Sequence, residues 1–492
     1  MRDYSFGNFL SELRERCGLS QFRLGRLVGV SNKAVSKWEN GSAKPRTQLL
    51  YKLSDVLGVS VDELLACKYH STENVNKKGV FAMKNKILKK VEENLHNLYG
   101  EILPIEITNR YLNEIHELKH TDMLVLLNLL SELNNKADSV KEHIRVKGVT
   151  GNSFISYVLG STEINPLKAH YYCPNCKKVE FVDTVDCGWD LQRKQCSCGA
   201  EYIRDGFNIM FETIRYSIEP GCIELFVSQN FFENTKAAIR EYFKECKILA
   251  LVHEQEPEIE TFVIINDENS EYNDSQCLDF NRNFGKFNRY PTIRLMINNE
   301  LDKFKLLEES TGVRFNSVNC IDSSLIEDFK KETIGISGFD SEFIQEIIAK
   351  VKPNTFNDLI KIIGFSKGSN VWEKNAEYLI EKGKVANELI AFPSDIFNCI
   401  QRNLIAKGIS HTEFAYEITQ NTRKGIYGIR GIPTETKQQL LSLGVEDWLI
   451  DFIEKTRYLS PKVNSIIETK YALILMSYKN NYPTIFKNIY QV

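Results

Sequence analysis

Short apolar stripes and turn signals alternate through the first 66 residues. In "LSQFRLGRLVGVSNKAVSKWENGSAKPRTQLLYKLSDVLGVSVDELL", Leu24, Leu27, Val30, Val35 and Trp38 recur at helical spacing. Ser20 is placed to cap a helix running to about Val28, and Gly29 to make a tight turn. Ser31 is placed to cap a second short helix through Trp38, the pair Asn40–Gly41 ends it, and Pro45 precedes a third. The apolar positions close a corner and leave Asn32, Lys33, Ser36, Lys37 and Asn40 facing out. Residues 67–87, "CKYHSTENVNKKGVFAMKNKI", are polar and read as a linker that lengthens into a helix. From 88 to about 147 the period is helical, interrupted at "GEILPIE".

Two later stretches break that period. "VKGVTGNSF" (146–154) is a glycine-rich turn in which Gly148, Gly151 and Ser153 are placed to turn backbone N–H groups toward a phosphate. Most such turns are only turns. "EPGCIELFVS" (219–228) alternates as a half-buried strand, with Ile223, Leu225 and Val227 on one face and Cys222, Glu224 and Phe226 on the other. Two carboxylates at i and i+2 on such a strand share a face and can hold a pair of Mg²⁺ ions. Here that face offers one thiol and one carboxylate.

Composition narrows the class. The 492 residues suffice for several domains, and 42% hydrophobic with 26% charged residues suits soluble globular domains. No apolar run reaches the ~20 residues of a membrane span. "MRDYSFGNFLSEL" carries no signal-peptide core, so a cytoplasmic protein without a membrane partner is expected. A net charge of −3 means that any nucleic-acid surface must be local.

Among 12 cysteines, four are paired by spacing: Cys173 and Cys176 in "HYYCPNCKK", Cys196 and Cys198 in "KQCSCGAEY". Two close pairs on two turns can close a tetrahedral, structural Zn²⁺ site within an insert at 170–203. The second pair is one residue tighter than the usual knuckle, which leaves His170 and Cys187 open as substitutes.

The pattern of residues 5–66 resembles the Cro/C1-type (XRE) helix-turn-helix family, through "SQFRLGRLVGVSNKAVSKWENG". The resemblance implies double-stranded operator DNA as partner. Gln21 and the start of the second helix would approach phosphates and bases, and Asn32, Lys33, Ser36 and Lys37, with Asn40 beside them, would face the major groove. Single domains of this kind are weak readers, so a homodimer is the common solution, although no heptad pattern is present to supply it.

Residues 88–492 resemble, in order, the core of the PolC-type DNA polymerase III α subunit. "LYGEILPIEITNRYLNEI", "TEINPLKAHYYCPNCKKVEF" and "CSCGAEYIRDGFNIMFET" are similar to its palm and zinc insert. "VKPNTFNDLIKIIGFSKGSNVWEKNAEYLI", "TRKGIYG" and "LSPKVNSIIETKYALILMSYKNNYPTIF" are similar to its fingers. The resemblance implies a multidomain chain: an all-α helix-turn-helix domain (1–66), the linker (67–87), an α+β palm and thumb region (88–335) and an all-α fingers region (336–492). The stretch 232–290 is divergent and shorter than in the family. No segment resembles the family's PHP, exonuclease or OB modules.

In the family a strand after "FET" carries Asp-x-Asp, and a third aspartate lies before "LLEESTGV"; here those positions hold Cys222, Glu224 and, counted without a gap, Arg294. The family's Arg-Gly in the phosphate loop reads Lys147–Gly148, its His-Gly-Thr-Asp reads Lys367–Asn370, and its Lys-Ala-His reads Lys462–Asn464. "TRKG" is kept, with Arg423 and Lys424 placed for phosphate. One carboxylate beside a guanidinium does not hold two Mg²⁺ ions, so the resemblance implies a core without catalysis and without Mg²⁺ at this position. The expected function is a transcriptional regulator that senses a nucleotide, a primer-template, a polymerase inhibitor or a replication partner. Alternatives are a residual polymerase and a protein that interferes with replication.

Overall fold

The computed structural model describes residues 4–16, 21–57, 64, 75–118, 121–211, 222–252, 256, 258–265, 277–279, 290–409 and 412–492. Ser20 and the first part of the expected linker, 67–74, lie outside them. The chain divides into two compact units, Met1–Lys78 and Gly79–Val492. Among the described residues no helix is long and apolar enough to cross a membrane.

The first unit holds α1 (Tyr4–Arg16), α2 (Gln21–Val28), α3 (Asn32–Glu39) and α4 (Thr47–Leu57). Leu10, Leu24, Val28, Val35 and Leu53 are fully buried, with Trp38 beside them. Val30 packs on them partly exposed, while the side chain of Leu27 lies outside the description. The corner between α2 and α3 closes as its sequence predicts: Gly29 sits at a φ of 83°, and the Val30 N–H donates to the Gly25 carbonyl at 2.7 Å. Ser31 has the extended backbone of an N-cap, but its hydroxyl accepts no capping bond. α1 crosses the end of α3 so closely that a Cβ on Gly7 would lie 2.2 Å from the Glu39 carbonyl oxygen.

α5 (Val75–Tyr99) starts within the segment read as a linker, runs for most of its length in the second unit, and is ended by Gly100, at a φ of 86°. α6 (Ile105–Leu118) and α7 (Met123–Ser139) follow. Met123 to Ser131 are all buried, so the first half of α7 runs through the core, while Glu132, Asn135, Lys136 and Asp138 in its second half are exposed. Asn128 is tolerated there because its amide bonds Glu132 and the Tyr242 hydroxyl, both at 2.9 Å, and its oxygen accepts from Lys90 at 2.9 Å.

The central sheet has the order β1-β5-β9-β7-β6-β8, with β1 Ile144–Lys147, β5 Cys222–Val227, β6 Lys247–Val252, β7 Ile259–Ile265, β8 Cys277–Asp279 and β9 Thr292–Ile297. β5 lies parallel to β9 and antiparallel to β1. Ile223, Leu225 and Val227 are fully buried and the alternate residues half-buried, as the alternation predicts. α8 (Phe154–Val158) follows β1, and α9 (Phe232–Tyr242) follows β5. A second, three-stranded antiparallel sheet, β3-β2-β4 (β2 His170–Tyr172, β3 Val179–Phe181, β4 Ile203–Asp205), forms the insert.

After β9, beginning with α10 (Asn299–Thr311), the described elements are all helical. Their shared core includes Phe304, Phe315, Ile363, Phe392, Ile466 and Leu473. The Phe356–Lys367 helix starts in a capping box between Thr355 and Asp358. Asp190, from the insert, accepts the Phe356 and Asn357 N–H groups at 2.7 and 3.1 Å, and burial pushes its carboxyl up to about 6.

One buried carboxylate fixes the turn after β1. Glu114, wholly inaccessible on α6, accepts the Ser153 hydroxyl at 2.7 Å and the Phe154 and Ile155 N–H groups at 2.9 and 3.1 Å. Arg110, one turn earlier, pairs with it at 2.5 Å and donates to the carbonyls of Asn152 and Ile209. Glu114→Ala is expected to leave the Arg110 guanidinium without its counter-ion and two helix N–H groups without an acceptor, and to cost about 3–5 kcal/mol, the range for breaking a buried pair. Chemical denaturation checks this; a midpoint equal to that of the parent would refute it.

Candidate functional site

The register of β5 decides the chemistry of its open face. Glu224 is paired with Arg294 on β9 and with Lys147 on β1. Paired residues on adjacent strands share a face, and here they touch: Arg294 Nη1 lies 3.4 Å from Glu224 Oε1, and Lys147 Nζ 4.0 Å from Oε2. Lys147 also lies over the Phe226 ring, 5.6 Å from its centroid. Cys222, half-buried, is the next residue along that face. Among the described residues this face therefore carries one carboxylate between two cations. This donor set does not fit a pair of divalent ions, which need several oxygen ligands and no guanidinium beside them.

Lys147 has a neighbour that sequence reading passed over. Arg145, two residues earlier on β1, places a guanidinium nitrogen 3.2 Å from Glu468 and its plane 5.5 Å over the Tyr471 ring. Lys367 reaches the other Glu468 oxygen at 3.6 Å. The alternation of "IRVK" was the available signal, since it puts Arg145 and Lys147 on one side of β1.

The glycine-rich turn departs from expectation. The Gly148 N–H does not face an open phosphate position, because it donates to Asn464 Oδ1 at 3.0 Å. Gly151 is a packing residue: a Cβ there would lie 2.5 Å from a Val463 methyl. Ser153 is buried and caps α8, its oxygen accepting from the Ser156 N–H at 3.2 Å. Asn464 and Val463 lie on the Lys462–Asn481 helix, some three hundred residues away, beyond the reach of a local reading. Lys462 is buried on the same helix and donates to the Phe207 carbonyl at 2.7 Å.

The segments around Lys367, Arg423 and Tyr458 come together. Ser369 pairs with Tyr458, and Leu459 N–H donates to the Arg423 carbonyl at 3.3 Å. Gly425, at a φ of 67°, passes so close that a Cβ would lie 2.1 Å from the Arg457 oxygen. Lys424 beside it is exposed.

In the insert, the sulfurs of Cys173, Cys176, Cys196 and Cys198 lie within 4.8 Å of one another, with 3.4 Å between Cys173 and Cys198 and between Cys176 and Cys196. A tetrahedral ion with bonds of ~2.3 Å separates its sulfur ligands by about 3.8 Å, so the four fit a zinc ion. The Cys198 N–H and the Tyr202 hydroxyl pull the Cys196 thiol down to about 6. Neither open substitute belongs to the cluster. His170 bonds the Lys168 carbonyl at 2.7 Å and packs on Phe181, and Cys187 is buried in another core with Trp189 and Phe207.

On the first unit, Asn32, Lys33, Lys37 and Asn40 are exposed and Ser36 is half-buried. Gln21 is drawn inward, its amide donating to Glu39 at 2.8 Å beside the Arg14–Glu39 pair at 2.5 Å. Asn40 accepts from the Ser42 N–H at 3.0 Å.

Comparison with known proteins follows the same division. Residues 10–64 match the helix-turn-helix family model, and residues 296–402 match that of the bacterial DNA polymerase III alpha subunit finger domain. The chain is 25% identical over 477 residues to the PolC-type DNA polymerase III of Caldanaerobacter subterraneus subsp. tengcongensis, covering 81% of this chain and 33% of that protein. It is 27% identical over 469 residues to that of Thermotoga maritima, covering 80% and 34%. For Mycoplasmopsis pulmonis the identity is 26% over 477 residues, covering 81% and 32%. The chain spans about a third of the length of the curated relatives it matches. By these matches residues 10–64 form a helix-turn-helix domain, and about 80% of the chain is similar in sequence to part of the PolC-type DNA polymerase III.

Proposed function

We propose that the protein is a DNA-binding transcriptional regulator whose second unit is a polymerase core without polymerase activity, used to sense a nucleotide, a primer-template or a polymerase-directed inhibitor. The observation that carries this reading is Glu224 held between Arg294 and Lys147. A two-metal nucleotidyl transfer stabilises both the attacking and the leaving oxygen through its ions. With one carboxylate among the described residues, itself paired to two cations, this face supports no ligand set for them. Each ~1.4 kcal/mol of lost transition-state stabilisation is tenfold in rate, and metal ions supply several kcal/mol. No extension of a labelled primer above background is expected with Mg²⁺ or Mn²⁺. Robust extension that vanishes in Glu224→Ala would overturn the reading in favour of an active enzyme.

The exposed outer residues of α3 support the DNA-binding half. Lys33→Ala combined with Lys37→Ala is expected to weaken binding to the region upstream of the protein's own gene. Parent binding should fall steeply with salt, as phosphate contacts release counterions. Unaltered affinity of the double variant in a gel-shift titration would remove these residues from the interface.

The four clustered thiols support one structural zinc per chain. Purified protein is expected to hold one equivalent by elemental analysis. The Cys173→Ser, Cys176→Ser pair is expected to lose the metal and to melt earlier, since metal-binding energy is folding energy in such a site. Protein that folds normally without zinc would exclude the assignment.

A further inference from the structure

We propose that the cavity beside β1, where the C-terminal ends of α5 and α7 meet, binds an organic polyamine. It involves a part of the second unit that the inactive-core reading does not use, and it holds or fails independently of that reading.

The cavity measures about 590 Å³. It lies between the end of α5 (Asn94, Asn97, Leu98), the end of α7 (Asn134, Asn135, Asp138), the stretch 142–146 and the turn after α8. Ile467 and Tyr471 close it from the helical side. Both long helices, of 25 and 17 residues, bring to their C-terminal ends about half a negative charge from aligned peptide dipoles. Two such ends at one cavity favour a cation over an anion.

The side chains add acceptors. Asn94 commits its amide nitrogen to the Val158 carbonyl at 3.0 Å, and Asn134 to the carbonyls of Gly160 and Ser161 at 3.0 and 3.2 Å. A carbonyl only accepts, so the NH₂ groups must face these oxygens, and each Oδ1 is left unbonded among the described residues. His143 points to a ligand independently. It is only 7% exposed, and its ring lines the cavity. Nε2 stands 3.3 Å from Glu308 Oε1 without a hydrogen bond, and Nδ1 has no hydrogen-bond partner among the described residues. Glu308 is already met by the Phe315 N–H at 2.6 Å and by Arg314 at 3.5 Å, so it does not require a charge on the ring. Its carboxylate draws the imidazole proton to Nε2, which leaves the Nδ1 lone pair as a buried acceptor waiting for a donor.

The rest of the wall favours an amine over a metal ion. Glu142 is held by Lys305 and by the Ser228 hydroxyl, and Glu163 by Lys470. Asp138, 64% exposed and 4.0 Å from Arg314, is the lining carboxylate left open to a ligand. A divalent ion needs several charged oxygens at once. Ammonium groups instead suit neutral acceptors, while their methylene stem packs on Leu98, Ile467 and the Tyr471 ring. Arg145, the arginine on this wall, is turned away to Glu468 and lies over Tyr471. The volume is about twenty times the ~30 Å³ of one water, so it suits a chain of amines better than a single ammonium ion.

Calorimetric titration of the full chain, freed of nucleic acid, uses spermidine in one arm and Mg²⁺ at equal charge in the other. Saturable binding of one equivalent of spermidine is expected, without matching binding of Mg²⁺. Asp138→Asn is expected to weaken it several-fold and Asp138→Lys about tenfold or more, the scale of one hydrogen bond to a charged group. The same reversal at Glu435, exposed on the Thr434–Ser442 helix, is expected to change nothing. His143→Phe removes the Nδ1 acceptor and is expected to weaken binding as Asp138→Asn does; should it fail to fold, the two variants at exposed Asp138 decide. Absence of saturable binding, Mg²⁺ bound in place of spermidine, or equal losses in Asp138→Lys and Glu435→Lys would overturn the proposal. Primer extension is read on the same samples: extension with spermidine binding intact would sink the inactive-core reading and leave this site standing.

Discussion

The parallel pairing of β5 with β9 is the constraint on which the site depends. Parallel neighbours cannot be joined by a tight turn, so the chain leaves β5, builds α9 and the outer strands, and returns to pair Glu224 with Arg294, seventy residues later. Once the buried residues Ile223, Leu225 and Val227 fix the register, the opposite face has no choice of neighbours. A slip of one residue would bury Glu224 and expose the apolar set. The core thus enforces the ion pair, and the charge pattern on the open face follows from packing beneath it.

A second constraint acts from the helical side. Helix Lys462–Asn481 brings Asn464 to the Gly148 N–H, Val463 into the space above Gly151, and Glu468 between Arg145 and Lys367. It is anchored by Lys462, buried and bonded to the Phe207 carbonyl. From the opposite direction Glu114 holds the same turn by the start of α8. A turn gripped on both sides is preorganised.

What the sequence disclosed, and what it hid, divides by range of interaction. The helix-turn-helix corner was legible because Gly29, the apolar spacing and the outer polar residues act within one turn of the chain. The sulfur cluster was legible in its two short spacings, although only the three-stranded sheet separates Cys187 and His170 from it. The alternation of β5 was legible, and a gap-free count reached Arg294. The loop was misread because its partners lie elsewhere: nothing local in "GVTGNS" indicates that Asn464 will take the Gly148 N–H or that Glu114 will take Ser153. Gln21, read as turned to DNA, is engaged by Glu39 for the same reason, a tertiary partner with no local signature.

The ion pairs of the second unit differ in which parts of it they join. Glu468 belongs to the helical side, yet Arg145 belongs to the sheet, so their pair crosses the seam between the two halves of the unit. Lys367 approaches the same carboxylate from the end of the Phe356–Lys367 helix. Glu224, by contrast, is bonded to cations of its own sheet. The two carboxylates therefore tie different parts together: Glu224 joins neighbouring strands, and Glu468 joins the sheet to the helical side.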